Sequence, residues 1–236
     1  MNPYQKLQNR KRTWTPVQTT AGELCAGSEE TIYRALAMRH MELPVGSFIQ
    51  DALSEIPALS ADLLKSNVKD EENHDLALGY IANALGVDET AEAEAKRLRD
   101  AWEAHPDHTV LKALFAERAI FFVLLPFFRF NGDDGLRTVS ADISRDEQVH
   151  VAANSLVCKE LGLEISPSLD KLRKATINWV MTPLKASTNK YLDKKFWLDA
   201  SDRLMYEGKA PELSDTKRAR MPAFFEHANP ILPQYA

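Results

Sequence analysis

The amino-acid sequence predicts an all-α protein, a bundle of long helices. Three observations lead there. Only 9 glycines are spread over 236 residues, too few for a sheet-and-turn architecture whose tight turns need positive φ. Apolar residues recur at helical spacing in stretches that stop on glycine, at Gly86 and again at Gly162. Two Glu-x-x-His motifs each fall inside such a stretch, where an i to i+3 spacing sets both side chains on one helical face.

Taken in order, residues 1–27 read as a polar, irregular N-terminal extension punctuated by Pro3, Pro16, Gly22 and Gly27. Ser28 reads as an N-cap, with Glu29 and Glu30 in a first turn where acidic groups offset the orphan N–H groups. The pattern from Ile32 through Met41 is helical. Pro44 and Gly46 disturb it before Phe48–Leu53 resumes it, giving one kinked helix or two. Ser60 opens the next helix, which runs to about Leu85. Glu89 to Glu103 is a solvated helix whose thin apolar edge is Ala91, Ala95, Leu98 and Trp102. His108 to about Phe130 is strongly apolar and ends in the loop Asn131–Gly135. Helices follow at Leu136–Leu161, from Pro167 to about Val180, and at Ser187–Tyr206. These place one helical domain at 28–210 and an extended tail at 211–236, marked by Pro211, Pro222, Pro230 and Pro233.

Composition narrows the function classes. Hydrophobic residues make up 44% and charged residues 27%, ordinary for a globular protein. A net charge of −5 argues against a nucleic-acid partner, which calls for a basic face. Cys25 and Cys158 form neither a ligand-spaced pair nor a disulfide framework, so a reducing compartment is expected. Residues 1–6 lack the apolar core of a signal peptide, and the charge-free stretch Ala119–Phe128 is too short to span a bilayer. The expected location is cytoplasmic, away from membranes.

The chemistry lies in Glu71-Glu72-Asn73-His74 and Glu147-Gln148-Val149-His150. A lone motif of this kind is ordinarily a solvent-facing charged stripe. Two copies on separate helices match the di-metal sites of helical bundles, which add one carboxylate from each of two further helices. Glu117 answers one of these demands. It sits between Phe115 and Phe121-Phe122, where an unpaired carboxylate would cost several kcal/mol (~2–7). The alternative is a salt bridge with Arg118 or another cation. Glu42 or Glu30 answers the other, and spacing favours Glu42: it precedes Glu71 by 29 residues, as Glu117 precedes Glu147 by 30. His40 reads as a packing or solvent-facing residue. Four carboxylates and two imidazoles suit two iron or manganese ions, whose charge the acids neutralise. Zinc hydrolysis calls for more imidazole and less carboxylate.

The stretch Ile143-Ser144-Arg145-Asp146-Glu147-Gln148-Val149-His150 resembles the I-x-R-D-E-x-x-H signature of the class I ribonucleotide reductase small subunit, a ferritin-like helical bundle. Ala116-Glu117-Arg118-Ala119-Ile120-Phe121-Phe122 is similar to that family's V-E-G-I-F-F segment. Gly135-Leu136 and Ser140 fall in comparable places. Trp14-Thr15-Pro16 is similar to its W-x-P element, and Phe224-Phe225-Glu226 to an F-F-E block. The likeness is dense over 115–150 and thin elsewhere. It implies that Glu42, Glu71, His74, Glu117, Glu147 and His150 ligate two metal ions per chain, iron and/or manganese. It further implies that Asp146 and Trp14 carry radical transfer, and that Phe121 and Ile143 form an apolar wall. Asp146, beside a ligand, can also accept an imidazole proton and set its tautomer.

The resemblance implies partners too: a separate large subunit, where ribonucleotides become deoxyribonucleotides, and a second copy in a homodimer. Two departures stand out. The family's radical tyrosine lies seven residues after the first motif's glutamate, a position held here by Leu78. Tyr80 lies about 200° further around the helix, and Tyr33 has no motif behind it. The oxidising equivalent is therefore expected on the metals. The second departure is the ending at Tyr235-Ala236, so that either Ile231–Tyr235 docks on the large subunit or another surface does. Tyr235 there is a relay or merely a contact residue. The alternative function is an autonomous di-metal oxidase acting on a small or lipid-like substrate.

Overall fold

The computed structural model describes residues 2–215, which are all-helical apart from loops and one isolated bridge between Lys185 and Asp193. The helices are α1 (Pro3–Gln8), α2 (Glu29–Ala37), α3 (Glu42–Ala52), α4 (Ala61–Leu85), α5 (Glu89–Glu103), α6 (Thr109–Ala116), α7 (Phe122–Asn131), α8 (Asp134–Leu161), α9 (Pro167–Met181) and α10 (Lys194–Glu207). No described helix is long and apolar enough to cross a membrane.

A closed ring of contacts forms the centre of the molecule. α3 packs on α4, α4 on α8, α8 on α6 and α7, and α6 back on α3. The ring encloses side chains such as Met38, Ile49, Leu64, Ile81 and Phe127, all almost fully buried. α2, α5 and α9 lie outside it and touch one another, with α10 covering α9 and α7. The solvated α5 is held by its predicted edge: Ala91, Ala95 and Trp102 are buried, and the Trp102 indole donates to Thr176 Oγ1 of α9 at 3.0 Å.

Several helix limits follow local chemistry. α4 ends on Gly86 (φ 88°) and α8 on Gly162 (φ 64°), conformations that a Cβ disfavours. α8 starts two residues before Leu136 because the Asp133 carboxylate caps it, accepting from the Leu136 N–H at 2.8 Å. Ser28 stands at the predicted N-cap of α2, but its hydroxyl donates to the Cys25 carbonyl at 2.6 Å instead of capping the helix.

Elsewhere the structure differs from the sequence reading. The break between α2 and α3 falls at Met38–Met41, a short 3-10 turn, rather than at Pro44. Pro44 occupies the first turn of α3, where no N–H is needed and a proline is tolerated. The supposedly irregular N-terminus contains α1, which has Pro3 at its first position. Asn2 accepts from the Gln5 N–H at 2.8 Å, and Gln5 in turn accepts from the Asn2 N–H at 3.2 Å. Tyr4 and Leu7 anchor it to α4 and α8. α10 begins at Lys194 rather than Ser187, because the Asp193 carboxylate takes the N–H groups of Lys195 and Phe196. The apolar helix predicted over 108–130 is interrupted by a π turn at Glu117–Phe121. Pro211–Asp215 forms a 3-10 turn. Pro222, Pro230, Pro233, Phe224-Phe225-Glu226 and Ile231–Tyr235 lie outside the described residues.

Trp102 is fully buried and ties α5 to α9, so Trp102→Ala should lower unfolding free energy by about 3–5 kcal/mol. Urea denaturation followed by circular dichroism measures this.

Candidate metal centre

The six side chains come from four places in the ring of helices. Glu42 opens α3, Glu71 and His74 lie midway along α4, Glu117 begins the π turn, and Glu147 and His150 lie midway along α8. All six are buried, none more than 2% exposed. Two donor groups form, Glu42–Glu71–His74–Glu147 and Glu71–Glu117–His150, with the donor atoms of each group within 4.8 Å of one another.

The arrangement has two ends and a middle. Glu71 lies between the imidazoles, with Oε2 3.2 Å from His74 Nδ1 and Oε1 3.0 Å from His150 Nδ1. Glu147 does the same from α8, at 3.4 Å and 3.8 Å. Glu42 approaches only His74 (3.7 Å), and Glu117 only His150 (3.7 Å). Two carboxylates are therefore placed to bridge and two to terminate. Of the two α2–α3 candidates, Glu42 enters the cluster, while Glu30 is exposed and pairs with Arg34. His40 bonds Glu92 at 2.5 Å, away from the cluster. Gly46 faces the Glu71 side chain, with room for a Cβ at 3.5 Å from Glu71 Cβ and little more, so α3 sits close to the ligand helix.

The donor chemistry fits metal ions. Both oxygens of Glu42 and of Glu147 and one of Glu117 are buried without a hydrogen-bond partner in the protein, and Glu71 Oε1 and His150 Nδ1, although 3.0 Å apart, are not aligned for a hydrogen bond. Buried carboxylates left so are costly, and cations would compensate them. Electrostatics agree. Burial pushes Glu42, Glu117 and Glu147 above the usual carboxylate range. Burial would raise Glu71 as well, but His150 and His74 outweigh it and hold that carboxyl low. Burial opposes charge on the two imidazoles, yet the surrounding carboxylates raise both well above the ordinary histidine range.

Around the donors lies a second layer. His74 Nε2 faces Asp146 Oδ2 at 3.4 Å, and the same oxygen accepts from Trp14 Nε1 at 2.5 Å. The Trp14 ring, 5% exposed, stacks on His74 with centroids 6.2 Å apart. Sequence reasoning missed three members of this layer. Asp70 Oδ2 meets His150 Nε2 at 2.9 Å, Lys11 pairs with Asp70, and Asn154 donates to Glu117 Oε2 at 2.8 Å. A signal for Asp70 was present: it precedes Glu71 as Asp146 precedes Glu147, so the repeated motif is Asp-Glu-x-x-His. The pairs 70–150 and 74–146 run in opposite directions, so α4 and α8 are antiparallel here.

Leu78, Phe121 and Ile143 are buried, each one helical turn from His74, Glu117 and Glu147 respectively. The described tyrosines bond elsewhere: Tyr4 to Glu160, Tyr33 to the Leu85 carbonyl and Tyr206 to Asp170, while Tyr191 stacks on Phe130. Tyr80 is half-buried. Compared with protein-family models, with curated proteins and with solved structures, the chain matches none.

With His74, His150, Glu42, Glu117 and Glu147 all raised, the metal-free centre carries protons near neutral pH that a bound cation must displace. Metal binding should therefore release protons, and affinity should rise with pH as those groups deprotonate. Calorimetric titration with manganese(II) in buffers of different ionisation enthalpy measures this; heats independent of buffer would contradict it.

Proposed function

We propose that this chain is the oxidant-generating small subunit of a class I ribonucleotide reductase, a ferritin-like bundle holding two iron and/or manganese ions. It would act as a homodimer on a separate large subunit that binds the ribonucleotide. The observation that carries the reading is the continuous Trp14–Asp146–His74 contact between an indole and a ligand imidazole.

When bound, the ions supply one-electron oxidising power that the side chains lack. The chain's residues provide position and a path. Glu71 and Glu147 hold the two ends together, and Glu42 and Glu117 close them. Asp146 fixes the His74 tautomer with Nε2–H outward, leaving Nδ1 for ligation. Its Oδ2 also stands ready for the Trp14 indole proton when an electron leaves that ring. Leu78, Phe121 and Ile143 keep water from the donors. Leu78 offers no phenol at the family's radical position, so an oxidising equivalent would have to reside on the bound ions.

Leu78 also favours a second reading, an autonomous di-metal oxidase of the same fold, because such an enzyme needs no stored tyrosyl radical. Trp14 favours the first, since an oxidase has no use for an indole leading out from its ligand shell.

Reconstitution with manganese and iron and a class I large subunit should give deoxynucleotide formation and no tyrosyl radical by electron paramagnetic resonance. Trp14→Phe should abolish nearly all of that formation while leaving metal content unchanged. Substrate oxidation that proceeds without any large subunit would decide for the oxidase.

A further inference from the structure

The two imidazoles are held alike on one side and unlike on the other. Each turns Nδ1 toward the cluster and Nε2 away from it. Each Nε2 meets an aspartate of the opposite helix: Asp146 of α8 for His74 of α4, and Asp70 of α4 for His150 of α8. Behind Asp146 stands the Trp14 indole, an oxidisable ring, with the Arg12 guanidinium 3.9 Å from the other carboxylate oxygen. Behind Asp70 stands the Lys11 ammonium, which also donates to Asn67 Oδ1 at 2.9 Å. Lys11 and Trp14 come from one stretch of chain, three residues apart.

We infer that Lys11 and Asp70 are positioning residues that make the two ends of the centre inequivalent. They fix His150 for ligation through an arm that ends on an ammonium, whereas the arm behind His74 leads to an oxidisable indole. The inference rests on the reading of the six donors as a two-ion site. It does not require the reductase assignment.

The physical argument is the tautomer. Asp70 Oδ2 lies 2.9 Å from His150 Nε2 and takes the Lys11 ammonium as well, so it is placed as an acceptor that selects Nε2–H on His150 and frees Nδ1 for an ion. Without that acceptor, His150 can carry its proton on Nδ1, facing Glu71, where it blocks ligation. Lys11 has three donors and no acceptor, so it cannot take a proton from the imidazole; its ammonium donates to the same Asp70 oxygen that faces His150 Nε2 and acts there as the counter-charge. It holds Asp70 in place from the solvent side, where both side chains are only slightly exposed (11% and 12%). An ammonium has no π-system to oxidise, whereas the indole behind Asp146 has one. The near two-fold symmetry of the donors is thus broken in the layer outside them, by two residues of one N-terminal segment.

The test is manganese(II) binding by the full-length protein, measured with a competing chelator that resolves two steps. Asp70→Leu should weaken one step about 10–100-fold and leave the other within error. In a Glu117→Ala background, which removes a donor of the same end, adding Asp70→Leu should not move the remaining tight step. Lys11→Met should weaken the same step by a smaller factor, and Lys11→Arg should restore it, which a merely structural contact would not require. Should Asp70→Leu fail to fold, the Lys11 pair carries the test. Equal weakening of both steps, or no change in either, would overturn the inference. No manganese bound by the unaltered protein would overturn the two-ion reading itself, and this proposal with it.

Discussion

Four carboxylates and two imidazoles sit within a few ångströms of one another in a core from which water is excluded. Such a set cannot persist on packing energy alone, since each unpaired buried oxygen costs free energy that a marginally stable fold cannot spare in number. The rest of the architecture answers that constraint. Helices from four parts of the chain close into a ring because each must deliver a donor to one point. The helices outside the ring complete its burial. The N-terminal segment adds Lys11, Arg12 and Trp14 around the two outward aspartates, with Arg12 bonding Asp142 at 2.8 Å.

The same demand shapes the backbone. Glu117 stands at the head of a π turn, and Pro126 lies in the helix that follows. A π turn inserts an extra residue into the helical count, and such turns are frequent where a helix must aim a functional side chain. On the opposite side, Glu42 is the first residue of α3, directly after the 3-10 turn, so its backbone is set by the change in helix type. Glu42 and Glu117 thus sit where the helix type changes, whereas Glu71, Glu147 and both imidazoles ride on the two longest regular helices.

This division explains what could be read from the sequence. The Glu-x-x-His spacing survives in α4 and α8 because nothing disturbs their 3.6-residue period, and the terminators Gly86 and Gly162 act locally. Glu42 and Glu117 were reachable by spacing and by apolar surroundings, but their backbone was not. A π turn has no residue signature, and a proline in a first turn marks a helix start as readily as a break. α1, six residues long, is too short to show periodicity, and only the capping box of Asn2 and Gln5 marks it. Asp70 is legible only when the two motifs are aligned, where it precedes Glu71 as Asp146 precedes Glu147. Lys11 is contributed by a segment whose position depends on tertiary contacts, which no local pattern encodes.

The crossed aspartates have a mechanical meaning as well. Because Asp70 reaches across to His150 while Asp146 reaches back to His74, the two antiparallel helices are keyed at two points about one turn apart. Sliding α4 against α8 by a single turn, roughly 5.4 Å, would break both bonds together and leave each aspartate opposite the wrong neighbour. Apolar side chains on long helices tolerate several alignments of similar energy, and a pair of polar keys does not. The layer that orients the ligands therefore also works as a register gauge, selecting one alignment of the two longest helices before any ion is captured.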